Sequence, residues 1–142
     1  MLADSLILSI ARNIFSIRFA PQREVNPGTP AYSQPTQLAE LALRFPGVKL
    51  IMGHMGSTDF KFEAIPSASY VSNVYLDTSW ILPALLTQAV AAVGADRVLF
   101  SSDSPLASLR VEMHCRQAAH LTDQERAKVM GGNILGLLGE SA

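Results

Sequence analysis

Three acidic or imidazole side chains stand where short apolar runs give way to polar residues. Val98-Leu99-Phe100 is followed by Ser101-Ser102-Asp103-Ser104-Pro105. Val48 to Met52 is followed by Gly53-His54-Met55-Gly56. Val74-Tyr75-Leu76 is followed by Asp77-Thr78-Ser79. Runs of this length suit strands buried on both faces. In parallel α/β proteins, chemistry gathers at the carboxyl ends of strands. Asp103 is therefore the first residue to suspect of chemistry, and it also reads as a turn aspartate before a helix. His54 has the same placement, with glycines on either side that permit a sharp turn, and it also reads as a satisfied structural side chain. Asp77 is suited to be a ligand or a base, but the DTS sequence favours a cap or turn role. Trp80, next to it, reads as a packing residue or a pocket wall.

The elements between these ends predict how they are positioned. Ser33 is expected to cap a helix with Pro35 in its first turn, and Leu38, Leu41, Ala42 and Phe45 fall on one helical face. Pro46-Gly47 ends it. Asp59 is placed to cap a short helix carrying Phe60, Phe62 and Ile65, interrupted at Pro66. Pro83 in the first turn and Gly94 past the end bracket a helix whose apolar face is Leu85, Leu86, Ala89, Val90 and Val93. Residues 107–119 read as a helix bearing His114, with His120 at its end; neither is near a strand end. Thr122-Asp123-Gln124-Glu125 is a capping box, and Asn133 is expected to cap the last helix. Before residue 33, Leu2, Leu6, Ile10, Ile14 and Ile17 suit a helix, while Phe15, Ile17 and Phe19 alternate as in a strand; both readings stand. Pro21 to Pro30 reads as a loop. From residue 33 the alternation of strand and helix implies parallel strands with crossover helices.

Composition narrows the function classes. The chain has 142 residues, 49% hydrophobic and 16% charged, with a formal net charge of -1. That is room for one domain with a real core. The absence of a basic run argues against nucleic acid or an anionic membrane as partner. Cys115 is the one cysteine, so no internal disulfide forms; this fits a reducing, cytoplasmic compartment. The start lacks a basic region and a clear cleavage site, and is too interrupted to span a bilayer.

Together these motifs carry a resemblance. Leu38 to Pro46, Lys49 to Gly56 (KLIMGHMG), Asn73 to Ser79 (NVYLDTS) and Gly94 to Pro105 (GADRVLFSSDSP) resemble the amidohydrolase-related family. Thr122 to Leu138, with Gly132-Asn133, resembles that family's closing helices. The resemblance implies metal-dependent hydrolysis of an amide, lactone or C–C bond, or decarboxylation, of a small-molecule substrate on a TIM barrel. It implies that Asp103 is the metal-binding and water-orienting aspartate after the last barrel strand. It implies that His54 is the histidine after the sixth strand, a substrate- or water-positioning group in one-metal members and a ligand in two-metal members. The implied cofactor is a divalent metal, zinc or manganese. A bound metal would lower the pKa of its water toward neutrality.

The departures set the remaining expectations. A full barrel takes about 250 residues. There is no His-any-His pair and no histidine before His54; Asn26-Pro27 stands ahead of Gly28-Thr29-Pro30, and Ser101-Ser102-Asp103 replaces the commoner Gly-Ser-Asp. The expected architecture is thus α/β, a partial TIM barrel of about the C-terminal half over residues 28–142, with residues 1–27 a poorly matched segment. Two protein ligands make a poor metal site, so activity is expected to be impaired in the isolated chain. The other reading is a non-catalytic oligomerisation or binding module. Half a barrel leaves strand edges and apolar inner faces uncovered, so a homo-oligomer, or pairing with a missing N-terminal half, is expected.

Overall fold

The computed structural model describes residues 6–9, 14–17 and 34–139. The chain divides into two compact units, Met1–Leu76 and Asp77–Ala142. The loop expected at Pro21 to Pro30 lies outside the described residues.

The first unit holds a sheet. Strands β1 (Leu6–Ser9) and β2 (Ile14–Ile17) pair antiparallel, which selects the strand reading for this stretch over the helical one. β2 pairs parallel with β3 (Lys49–Met52), and β3 pairs parallel with β4 (Val74–Asp77). Helix α1 (Pro35–Arg44) links β2 to β3, and α2 (Ser57–Tyr70) links β3 to β4. This is the parallel strand-helix alternation of a (β/α) barrel, in part. Leu50, Met52, Val74 and Leu76 are almost fully buried, while Ile51 and Tyr75 between them are half-buried, so β3 and β4 bury one face fully and the other only in part.

Three local expectations are corrected in this unit. The cap of α1 is Gln34, without a side-chain bond, because Pro35 occupies the first helical position and fixes where the helix begins. Leu38, Ala39 and Ala42 are buried, but Phe45 is 53% exposed. Phe45 sits at the C-cap with φ −129 and ψ 65, so its side chain leaves the helical face. Helix α2 is not interrupted at Pro66, and it begins at Ser57, ahead of Asp59. Pro66 lies on the exposed side of the helix, where water can serve the carbonyl that loses its partner.

An asparagine organises the connection. The Asn73 Nδ2 group donates to the carbonyls of Ala42 and Phe45 at 3.1 Å and of Val48 at 2.8 Å. It thereby ties the end of α1 and the start of β3 to the entrance of β4.

The second unit contains α3 (Pro83–Val93), β5 (Val98–Leu99), α4 (Leu109–Gln117) and a closing helical run. Pro83 opens α3 and Gly94, at φ 84, closes it. Leu86, Ala89, Val90 and Val93 are buried, while Leu85 is half-buried. The closing run joins α5 (Asp123–Ala127), a π-helical turn (Lys128–Gly132) and α6 (Asn133–Leu138). The capping box at Thr122 and Glu125 is present. The Thr122 backbone N–H, then its hydroxyl, hold the Glu125 carboxyl below its ordinary range. A depressed carboxyl stabilises above its unfolded pKa, and that contribution fades as pH falls through the folded one. Asn133 is not a cap. Helical backbone already precedes it, and its Nδ2 donates instead to the carbonyls of Ala95 (2.7 Å) and Val98 (2.8 Å). Asn133 therefore repeats, before β5, the tie that Asn73 makes in the first unit. Among the described residues, no helix is long and apolar enough to cross a membrane.

Gly56 is closely packed. It takes φ 80, and a Cβ there would stand 3.0 Å from the Pro35 Cγ. Gly56→Ala is expected to cost about 1–3 kcal/mol in urea unfolding, from the left-handed backbone and the contact together. Gly47, where a Cβ meets nothing within 4 Å, is the control; Gly47→Ala should stay within about 0.5 kcal/mol of wild type. Equal effects at the two positions would contradict this packing.

Candidate active site at the strand ends

His54 follows β3 in the first unit. It lies in a turn at Gly53–Gly56, with φ 55 and ψ 21, and is 5% exposed. Met55 beside it has φ 44 and is fully buried. Of the two glycines expected to make this turn, Gly56 is left-handed. His54 and Met55 share that backbone without a glycine's freedom. A non-glycine residue held there costs about 1–3 kcal/mol and persists only where its surroundings fix it.

Asp103 follows β5 in the second unit. It too has positive φ, 51, and is 9% exposed. Its carbonyl accepts the backbone N–H groups of Leu106 and Ala107, so it does start a turn, as one reading expected. Its carboxylate does more. Oδ2 accepts the indole N–H of Trp80 at 2.9 Å. Trp80 itself has φ 64 and is 57% exposed, so it is neither packed away nor an ordinary wall.

The DTS sequence is the scaffold for this pair. Asp77 Oδ1 accepts both the Ser79 backbone N–H at 2.7 Å and the Ser79 hydroxyl at 2.5 Å, which is the turn role. Thr78 is fully buried; its N–H donates to the Leu99 carbonyl at 3.0 Å, and its Oγ1 accepts the Ser101 N–H at 3.3 Å. Thr78 thus pins the exit of β5 two residues before Asp103.

A buried ion pair supports the Trp80 turn from behind. Glu112 and Arg116, one turn apart on α4, are 6% and 1% exposed and hydrogen-bonded to each other. Glu112 Oε2 also accepts the Trp80 backbone N–H at 3.3 Å, and an Arg116 Nη donates to the Ile81 carbonyl at 2.5 Å. The pair grips the backbone on both sides of the indole. Arg126 in turn donates to the Arg116, Ala119 and Leu121 carbonyls, closing the end of α4. None of this was expected from the sequence, although Glu112 and Arg116 carry the i,i+4 spacing that would have flagged a pair. His114 and His120 are exposed and take no part in this arrangement.

Among the described residues, no group of three or more His, Cys, Asp or Glu side chains is placed to hold an ion. Protein zinc sites ordinarily use three or four such ligands. The described residues by themselves therefore do not fit a metal.

The arrangement defines a class: strand-end residues of an α/β barrel half, each unit presenting one at the carboxyl end of a buried strand. The chain belongs to the amidohydrolase family, whose model matches residues 27–139. Among solved structures, it is similar to dihydroxybenzoic acid decarboxylase from Polaromonas sp. JS666, determined with manganese and the inhibitor 2-nitroresorcinol. The TM-score is 0.61 and the identity 23%, over 84% of this chain and 42% of that one. It is similar to 2,6-dihydroxybenzoate decarboxylase from Rhizobium at TM-score 0.62 and 21% identity, over 89% of this chain and 51% of that one. It is also similar to a zinc-bound amidohydrolase from Burkholderia multivorans at TM-score 0.62 and 17% identity, over 75% and 49%. The chain spans about half the length of these proteins, or less. No curated protein matches.

The ion pair gives a direct test. Breaking a buried pair from one side leaves an uncompensated charge and costs about 3–5 kcal/mol. Arg116→Met should show that loss by denaturant unfolding. The double variant with Glu112→Leu should recover part of it, because no charge is then stranded. An Arg116→Met protein within about 1 kcal/mol of wild type would mean the pair is not buried.

Proposed function

We propose that this chain is the C-terminal half of a metal-dependent hydrolase or decarboxylase of the amidohydrolase type, acting on a small molecule. Asp103 is the reacting carboxylate and His54 the group that positions substrate or water. The observation that carries the reading is the Asp103 carboxylate itself: nearly buried, at the exit of a buried strand, on a left-handed backbone, with one oxygen held by an indole N–H. Such a group is suited to take or give a proton at a fixed place. The named activities of two solved relatives, decarboxylation of dihydroxybenzoates, supply the substrate class to try first.

The metal enters this reading as zinc or manganese, by analogy with the manganese- and zinc-bound relatives. His54 and Asp103 are the ligands this chain offers. When bound, the ion supplies Lewis-acid chemistry. The remaining donors are proposed to come from outside the described residues, from another copy or from an N-terminal barrel half. The second reading, a binding or oligomerisation module, is favoured by one observation, the lack of a three-donor cluster among the described residues. Residues 28–142 are proposed as the barrel-derived part in either case, and a reducing, cytoplasmic setting as its place.

Calorimetry of the full chain with zinc or manganese is expected to show no tight stoichiometric site. A tight site lost in both His54→Ala and Asp103→Asn would contradict the incomplete donor set. At millimolar manganese, CO2 release from 2,6-dihydroxybenzoate that is lost in Asp103→Asn but kept in His114→Ala would support the catalytic reading. A rate indifferent to Asp103→Asn would overturn it and leave the module.

A further inference from the structure

Trp80 is the one tryptophan of the chain. Its neighbours Ser79 and Ile81 are 0% and 5% exposed, yet Trp80 is 57% exposed. Its φ of 64 belongs to the region where glycine is at ease and a bulky residue is strained. An exposed aromatic ring on strained backbone gains little for the fold: more than half of its surface stays in water, and the backbone cost remains.

The ring is nevertheless fixed at both ends. Glu112 accepts its backbone N–H and Arg116 holds the next carbonyl. Asp103 accepts its indole N–H at 2.9 Å. An indole N–H bond lies in the plane of the ring. The carboxylate therefore meets the ring at its edge, and this bond leaves both ring faces uncovered. A ligand that stacks on a ring face comes beside the carboxylate without displacing the indole from it. The ring is immobilised before any ligand arrives, so the ordering cost of binding is already met. Planar rings stack offset on such faces, whereas saturated rings of the same size lack the flat π surface.

We propose that Trp80 is the specificity-determining residue of this site, a preset platform that selects substrates with a planar, unsaturated ring and lays them against Asp103. The inference rests on Asp103 being the reacting carboxylate. Glu112 and Arg116 are positioning residues for the platform, and do not touch the ligand.

The test uses the full chain and two acids of equal charge and similar size, benzoate and cyclohexanecarboxylate. Binding is read by calorimetry and by the emission of Trp80. Benzoate is expected to bind about 2- to 10-fold more tightly, and to change the emission saturably. Trp80→Phe should keep the preference, and Trp80→Leu should abolish it. Equal affinities, no saturable binding of either acid, or a preference that survives in Trp80→Leu would overturn the platform. Asp103→Asn keeps an acceptor for the indole, so the planar preference should persist there while turnover is lost. Preference without Asp103-dependent turnover would leave the platform standing and sink the catalytic reading; the reverse would sink only the platform.

Discussion

Each parallel strand must pass its chain to a helix, and after β3, β4 and β5 the passage uses left-handed backbone at residues other than glycine. His54, Trp80 and Asp103 have φ of 55, 64 and 51. At about 1–3 kcal/mol each, these turns would take a large share of the ~5–15 kcal/mol that holds a domain together. They persist because other groups over-determine them. In the second unit those groups can be named. Thr78 pins the exit of β5, Asp77 closes the Ser79 turn, and Glu112 with Arg116 holds the backbone around Trp80. The indole bond to Asp103 then joins two strained residues into one rigid constellation. Strained residues held this firmly cluster at functional sites.

Much of the fold was legible because its signals are local. The apolar runs of β3, β4 and β5, the Pro83 and Gly94 punctuation of α3, and the Thr122–Glu125 box each depend on neighbours within a few residues. The features that were not legible depend on distant partners. Asn133 looks like a cap until the carbonyls of Ala95 and Val98, more than thirty residues away, take its amide. Pro66 looks like a break until its exposed position relieves it. Trp80 looks like core until Asp103 and Glu112, 23 and 32 residues on, hold it at the surface. The position of Asp103 at a strand end could be read from its sequence; what its carboxylate touches could not.

Family membership and the partial barrel agree with these turns, since the carboxyl ends of barrel strands are where such chemistry gathers. The chain covers 42% of one solved relative and 51% of another. The donors present among the described residues are correspondingly few. The feature the second unit does build is a rigidly held carboxylate. Burying an ion pair such as Glu112–Arg116 is costly, and a well-packed apolar pair would serve stability as well or better. What the pair does here is hold the backbone on both sides of the indole.

The indole N–H proton of Trp80 is the most direct witness. With a single tryptophan in the chain, one indole resonance is expected in a nitrogen–proton spectrum of the labelled protein. If the indole is bonded to Asp103, that resonance lies downfield and exchanges slowly with water despite the exposed ring. It moves upfield and exchanges faster in Asp103→Ala. A resonance at the position of a solvated indole, unmoved by Asp103→Ala, would contradict the central claim that Trp80 and Asp103 form one fixed unit.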